Sequence, residues 1–163
     1  MKVSGKYLLA ALLVLTSGAG LAQVPVTAQA NHDTLLSSSD SKEARNKRLV
    51  YDFWREVVEA GHVESIDKYV GENYIQHNPN VATGRAALVE QIAKSVKKQP
   101  PLVRVRAPIV SMVAEGNYVV VSLVSEIPDV RDPQKRYTTT WFDMFRIEDG
   151  KIVEHWDSAQ KLQ

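Results

Sequence analysis

The chain has 163 residues and a formal net charge of +1, which is room for one domain and too little for two ordinary ones. It has no cysteine, so disulfides, thiolate metal sites, thiol nucleophiles and covalent haem attachment are excluded. The near-neutral charge gives no electrostatic case for nucleic acid or an anionic lipid surface as partner.

The first segment reads as an export signal. Lys2 and Lys6 precede an apolar run, Leu8 to Leu15, that is short for a bilayer span, and Gly20-Leu21-Ala22 offers small side chains for cleavage. Residues 1–22 are therefore expected to be a signal peptide, with a second candidate cleavage site after Ala30. The mature protein is expected to be periplasmic or secreted, with no stable membrane insertion after cleavage. Residues 23–42 are polar, rich in Ser, Gln, Thr and Ala, and without periodicity, so a flexible lead-in is expected. The domain itself is placed at 43–163.

Asp40 followed by Glu43 resembles a capping box. Leu49, Phe53 and Val57, with Val50, Trp54 and Val58 beside them, form a broad apolar helical stripe that Gly61 should end. A shorter helical segment follows, to Gly71. YIQHNPN, residues 74–80, is an aromatic, strand-like run that closes in a turn. Thr83-Gly84 opens a third helix with Leu88, Ile92 and Val96 on one face, and Gln99-Pro100-Pro101 stops it.

After Pro101 the period becomes alternating. Val103 and Val105 suggest an edge strand, a bulge or two short strands around Pro108. Tyr118 to Ile127 reads as a strand, Pro128 to Arg136 as a polar loop, Tyr137 to Ile147 as a long strand and Lys151 to Asp157 as the last. Helices first and strands afterwards imply an α+β fold, with helices on one face of an antiparallel sheet.

The last hairpin decides which polar residues meet. A two-residue turn at Asp149-Gly150 would set Asp143 across from Trp156 and turn Asp157 to the other face. A three-residue loop with a glycine bulge at Gly150 would set Asp143 across from His155, with Asp157 diagonal and Trp141 and Phe145 on the same face. We favour the second register because glycine takes a positive φ at little cost. That face mixes aromatic walls with acids, as a pocket does.

A carboxylate set among aromatic rings loses hydration, which disfavours its ionised form and suits it to take a proton from a carbon acid. Asp143 as base, with His77 or Asp157 as partner, is a chemically sensible catalytic set. Each residue also has a plain structural reading. Asp143 can accept hydrogen bonds from Thr138, Thr140 or an indole. His77 can cap a helix, His155 can face solvent or a subunit, and Asp157 can form a strand-end turn. Tyr51, Trp54 and Tyr74 can be core or cavity wall. No Gly-rich phosphate loop, helical histidine pair or Gly-x-Ser-x-Gly elbow occurs, and nothing in the spacing supports a metal site.

YIQHNPN, then TGRAAL, then FDMFRIEDGKIVEHWDSAQ resembles the SnoaL-like polyketide cyclases of the nuclear transport factor 2 superfamily, which includes ketosteroid isomerase. The resemblance covers roughly residues 44–160. It implies a cone-shaped, strongly curved sheet wrapped over the N-terminal helices, an apolar pocket for a small hydrophobic molecule, and a homodimer through the outer face of the sheet. It also implies acid/base catalysis without a cofactor, with Asp143 at the position of the acid and His77 and Asp157 lining the pocket. Trp54, Tyr51, Tyr74, Trp141, Phe145 and His155 are the expected substrate contacts. The expected function is cofactor-independent acid/base chemistry of cyclase, isomerase or hydrolase type. The alternative is a periplasmic binding or accessory domain without turnover.

Overall fold

The computed structural model describes residues 23–162. Residues 1–22, which carry the export expectation, and residue 163 lie outside the described residues. Within 23–162 no helix is long and apolar enough to cross a membrane.

Among the described residues, three α-helices precede or interrupt the sheet: α1 His32–Leu36, α2 Ser41–Phe53 and α3 Arg85–Ser95. The Asp40 side chain caps α2 by accepting from Lys42 N at 2.7 Å and Glu43 N at 3.1 Å, which satisfies two amides that have no partner inside the helix. The helix does not stop at Phe53. It widens into a π turn, Trp54–Val58, before Gly61, whose φ of +75° suits glycine. A 3₁₀ segment, Val63–Lys68, leads into the sheet.

The sheet has five strands: β1 Val70–Gln76, β2 Ile109–Glu115, β3 Tyr118–Asp129, β4 Asp132–Glu148 and β5 Lys151–Asp157. Their order is β1-β5-β4-β3-β2. Three pairings are antiparallel, as expected, but β1 runs parallel to β5. The core lies between the helices and the inner face. Val50, Phe53 and Val57 meet Val70, Ile109, Val119, Val121, Phe145, Ile147 and Ile152, all buried. This is an α+β fold, with a curved, open sheet covered on one side by helices.

Three sequence expectations change. The lead-in is not featureless: Asn31 caps α1, and Leu35 and Leu36 are buried in the core. Two adjacent leucines in a polar stretch carry no period, so their burial was not legible there. Residues 101–108 form no strand. Val105 is buried while Val103 is fully in solvent, and prolines 101 and 108 remove donors that a ladder needs. The loop expected at 128–136 is mostly strand, because β3 and β4 pair as far as Pro128 and Arg136 and turn at Val130-Arg131.

The last hairpin also differs from the register we favoured. Glu148 pairs with Lys151, so the turn has two residues. Asp149 (φ +48°) and Gly150 (φ +69°) are both left-handed, the type I′ geometry whose twist matches the strands. Asp tolerates that region because its short side chain can bond locally. The bulge exists, but it lies further along. Ile147 faces Ile152 while Arg146 faces Glu154, which leaves Val153 as the extra residue.

Candidate active site

The bulge at Val153 builds the site. Side chains alternate along a strand, so an unbulged β5 with Ile152 in the core would send His155 and Asp157 outward. One extra residue reverses the parity. Ile152 stays buried, Glu154 and Trp156 face out, and His155 and Asp157 face in. Asp157 then sits directly opposite Asp143, and His155 opposite Phe145. Asp143, His155 and Asp157 therefore share the inner face, but Asp143 faces Asp157 where His155 was expected, and the bulge that sets the parity is not at Gly150.

A cavity of about 260 Å³ opens between the inner face and the helices. Phe53, Trp54 and Val58 form one wall, and Leu88, Ile92 and Val96 another. Trp54 meets Phe145 edge-on, with centroids 6.2 Å apart. The polar end holds Tyr74, Gln76, Asn78, Asp143, His155 and Asp157. Among the described residues that line it, none is Lys or Arg.

The polar groups are tightly connected. His155 Nε2 lies 2.9 Å from Asp143 Oδ1, and its Nδ1 lies 2.9 Å from Gln76 Oε1. Asp157 accepts from Asn78 Nδ2 at 2.6 Å and from the Ala159 amide at 2.9 Å. Asp143 and His155 are each only 8 % exposed. Burial, and then the two carboxylates of Asp157 and Asp143, push the Tyr74 phenol well above its ordinary pKa. It therefore stays protonated and able to donate a hydrogen bond.

Asp143, His155 and Asp157 bring one ligand atom each to within 4.8 Å of one another. Two carboxylates and an imidazole are a donor set that a divalent cation accepts. Here Asp143 and His155 bond each other and Asp157 bonds two donors, an arrangement suited to moving protons.

The structure brings together Asp143, Asp157, His155, Trp54, Tyr74 and Phe145. Three expected residues lie elsewhere. His77 is not at the cavity. It faces the outer side of the sheet, where Nε2 meets Glu154 Oε1 at 2.8 Å and the ring stacks on Trp156 at 5.0 Å. Strand alternation explains the correction, since Tyr74 and Gln76 point inward and the residue after Gln76 points out. Tyr51 is buried beyond the cavity; its hydroxyl accepts from Val105 N at 3.1 Å and lies 2.6 Å from His32 Nδ1. Trp141 packs against the core but does not line the cavity. Gln76 and Asn78 were missed. Their spacing of two and four residues from Tyr74 was the available signal.

The sequence profile of the SnoaL-like polyketide cyclases matches residues 48–163. The chain belongs to that family. No curated protein matches significantly. Among solved structures, a candidate polyketide cyclase from Acidithiobacillus ferrooxidans is 21 % identical, with a TM-score of 0.50 over 74 % of this chain and 89 % of its own. An LEH-like epoxide hydrolase from M. tuberculosis is 15 % identical, with a TM-score of 0.50 over 71 % of this chain and 83 % of its own. At these identities the likeness of this SnoaL-like chain to both is one of fold.

Proposed function

We propose that this SnoaL-like protein is an exported acid/base enzyme that acts on a small, uncharged, hydrophobic molecule without a cofactor. The observation that carries the reading is the pair of acids, Asp143 and Asp157, set opposite each other at one end of an otherwise apolar cavity. Asp143 takes a proton from carbon beside a carbonyl, or from water. Tyr74, whose hydroxyl keeps its own proton to donate, offers a hydrogen bond to the oxygen that gains charge, while His155 stays bonded to Asp143.

The cavity sits just under the ~300–1,000 Å³ of drug-sized ligand sites, which supports a substrate of one or two rings. The absence of Lys and Arg from its lining, beside two aspartates, disfavours carboxylates and phosphates. The export reading is supported by the sequence of residues 1–22 alone, and it puts the substrate in the periplasm or outside the cell.

We also propose a homodimer through the outer face of the sheet. There Val113, Val120, Met144 and Trp156 align in one row across four strands, and Phe142 is half exposed. Phe142→Lys should leave a folded monomer by light scattering, and an unchanged dimer would refute the interface.

The ligand reading is tested by fluorescence of Trp54, isolated by difference from Trp54→Phe. 2-Naphthol should quench it, with 2-naphthoate at least tenfold weaker. Equal binding of the two, or no binding of either, would contradict the reading.

A further inference from the structure

Gln76 stands beside His155 in the parallel pairing of β1 with β5, and its amide has a fixed orientation. Its Oε1 accepts from the Asn78 backbone N–H at 3.0 Å, and its Nε2 donates to the Tyr74 hydroxyl at 3.0 Å. A backbone N–H can only donate. Flipping the amide would set NH₂ against that N–H, so the oxygen must face it.

The same oxygen lies 2.9 Å from His155 Nδ1. An oxygen with no proton of its own requires one on Nδ1. A neutral ring protonated there presents a lone pair at Nε2, and Nε2 faces Asp143 Oδ1 at 2.9 Å. Two lone pairs do not approach so closely. One proton must lie between them, on the ring or on the carboxyl.

We propose that Gln76 is a positioning residue that holds His155 in its Nδ1-protonated form, so that the His155–Asp143 pair stores one transferable proton. The inference rests on the acid/base reading of the site and assigns it a proton inventory. With the proton on Nε2, Asp143 is an ionised base beside an imidazolium. With the proton on Asp143, the same carboxyl is an acid. The opposite tautomer would hydrogen-bond to Asp143 equally well but would leave a neutral ring and a carboxylate with no spare proton.

The test is the ring ¹⁵N spectrum of His155 in the full domain, assigned by its loss in His155→Phe. In the wild type at neutral pH, Nδ1 should resonate in the protonated range. Gln76→Met and Gln76→Leu remove the acceptor. The neutral ring should then lose the Nδ1 proton and carry one on Nε2. Gln76→Glu restores an acceptor and should restore the Nδ1 proton. An unprotonated Nδ1 in the wild type, or an unchanged tautomer in a folded Gln76→Met or Gln76→Leu, would overturn the proposal. If neither apolar variant folds, the wild-type and Gln76→Glu spectra decide it, and Glu failing to keep the Nδ1 proton counts against it. The readout does not depend on turnover, so the tautomer lock and the acid/base reading can fail separately.

Discussion

Glu56, in the π turn after α2, gives a pH dependence whose sign and size can be worked out. Its Oε2 accepts from the Tyr69 hydroxyl at 2.6 Å, and its Oε1 accepts from Lys68 Nζ at 3.1 Å. The phenol first, and the ammonium after it, hold the carboxyl down at about 2 against an ordinary 4.5. A depressed carboxyl stabilises the fold above its unfolded pKa and loses that contribution as pH falls through the folded one. The window is therefore about pH 5 to 2.

The full difference would be worth at most about 3 kcal/mol. The Glu56 side chain is 18 % exposed and that of Lys68 is 62 % exposed, so solvent screening reduces the expectation to about 1–2 kcal/mol. Urea unfolding of wild type and Glu56→Gln at pH 6.5 and 2.5 measures it. The gap between the two proteins should be largest at pH 6.5 and should shrink to about a quarter of that at pH 2.5, where the folded carboxyl is only beginning to take up its proton. Tyr69→Phe should remove most of it. A gap that is equal at both pH values would refute the reasoning.

Other outcomes follow from the packing. Leu35→Ala should cost about 2–4 kcal/mol in urea unfolding if α1 belongs to the core; a loss under about 0.5 kcal/mol would return residues 31–36 to the lead-in. Gly150→Ala should cost about 1–2 kcal/mol because alanine resists the left-handed region, whereas Asp149→Asn should be close to neutral, both by thermal unfolding. His77→Ala breaks a contact on the outer face, so it should change stability by about 1 kcal/mol or less and leave ligand binding unchanged. A lost cavity ligand in that variant would put His77 back in the site.

The helices and the order of elements were legible because α2 and α3 carry clean apolar stripes and marked ends at Asp40, Gly61 and Pro100. The inward face of β4 was legible too, since Trp141, Asp143, Phe145 and Ile147 alternate with more polar or exposed neighbours. What was hidden is non-local. The bulge at Val153 leaves no residue signature: valine is an ordinary strand residue, and the extra position shows only when β4 is laid beside β5. Gly150 drew the bulge in our reading because glycine announces permissive backbone, whereas Asp149 reaches positive φ without such a mark. His77 was misplaced for a different reason. A histidine beside a turn invites a catalytic role, yet Tyr74 and Gln76, two residues apart and both inward, set the parity that turns His77 to the outer face.

The central claim is that Asp143 transfers protons inside the cavity. 5-Nitrobenzisoxazole, a small uncharged aromatic carbon acid, tests it directly. A base removes its ring C–H proton, the N–O bond breaks, and a coloured cyanophenolate forms. The wild type should accelerate this ring opening over an equal concentration of free acetate, and folded Asp143→Asn should lose at least about 100-fold of that acceleration. A folded Asp143→Asn that keeps the wild-type rate would contradict the account.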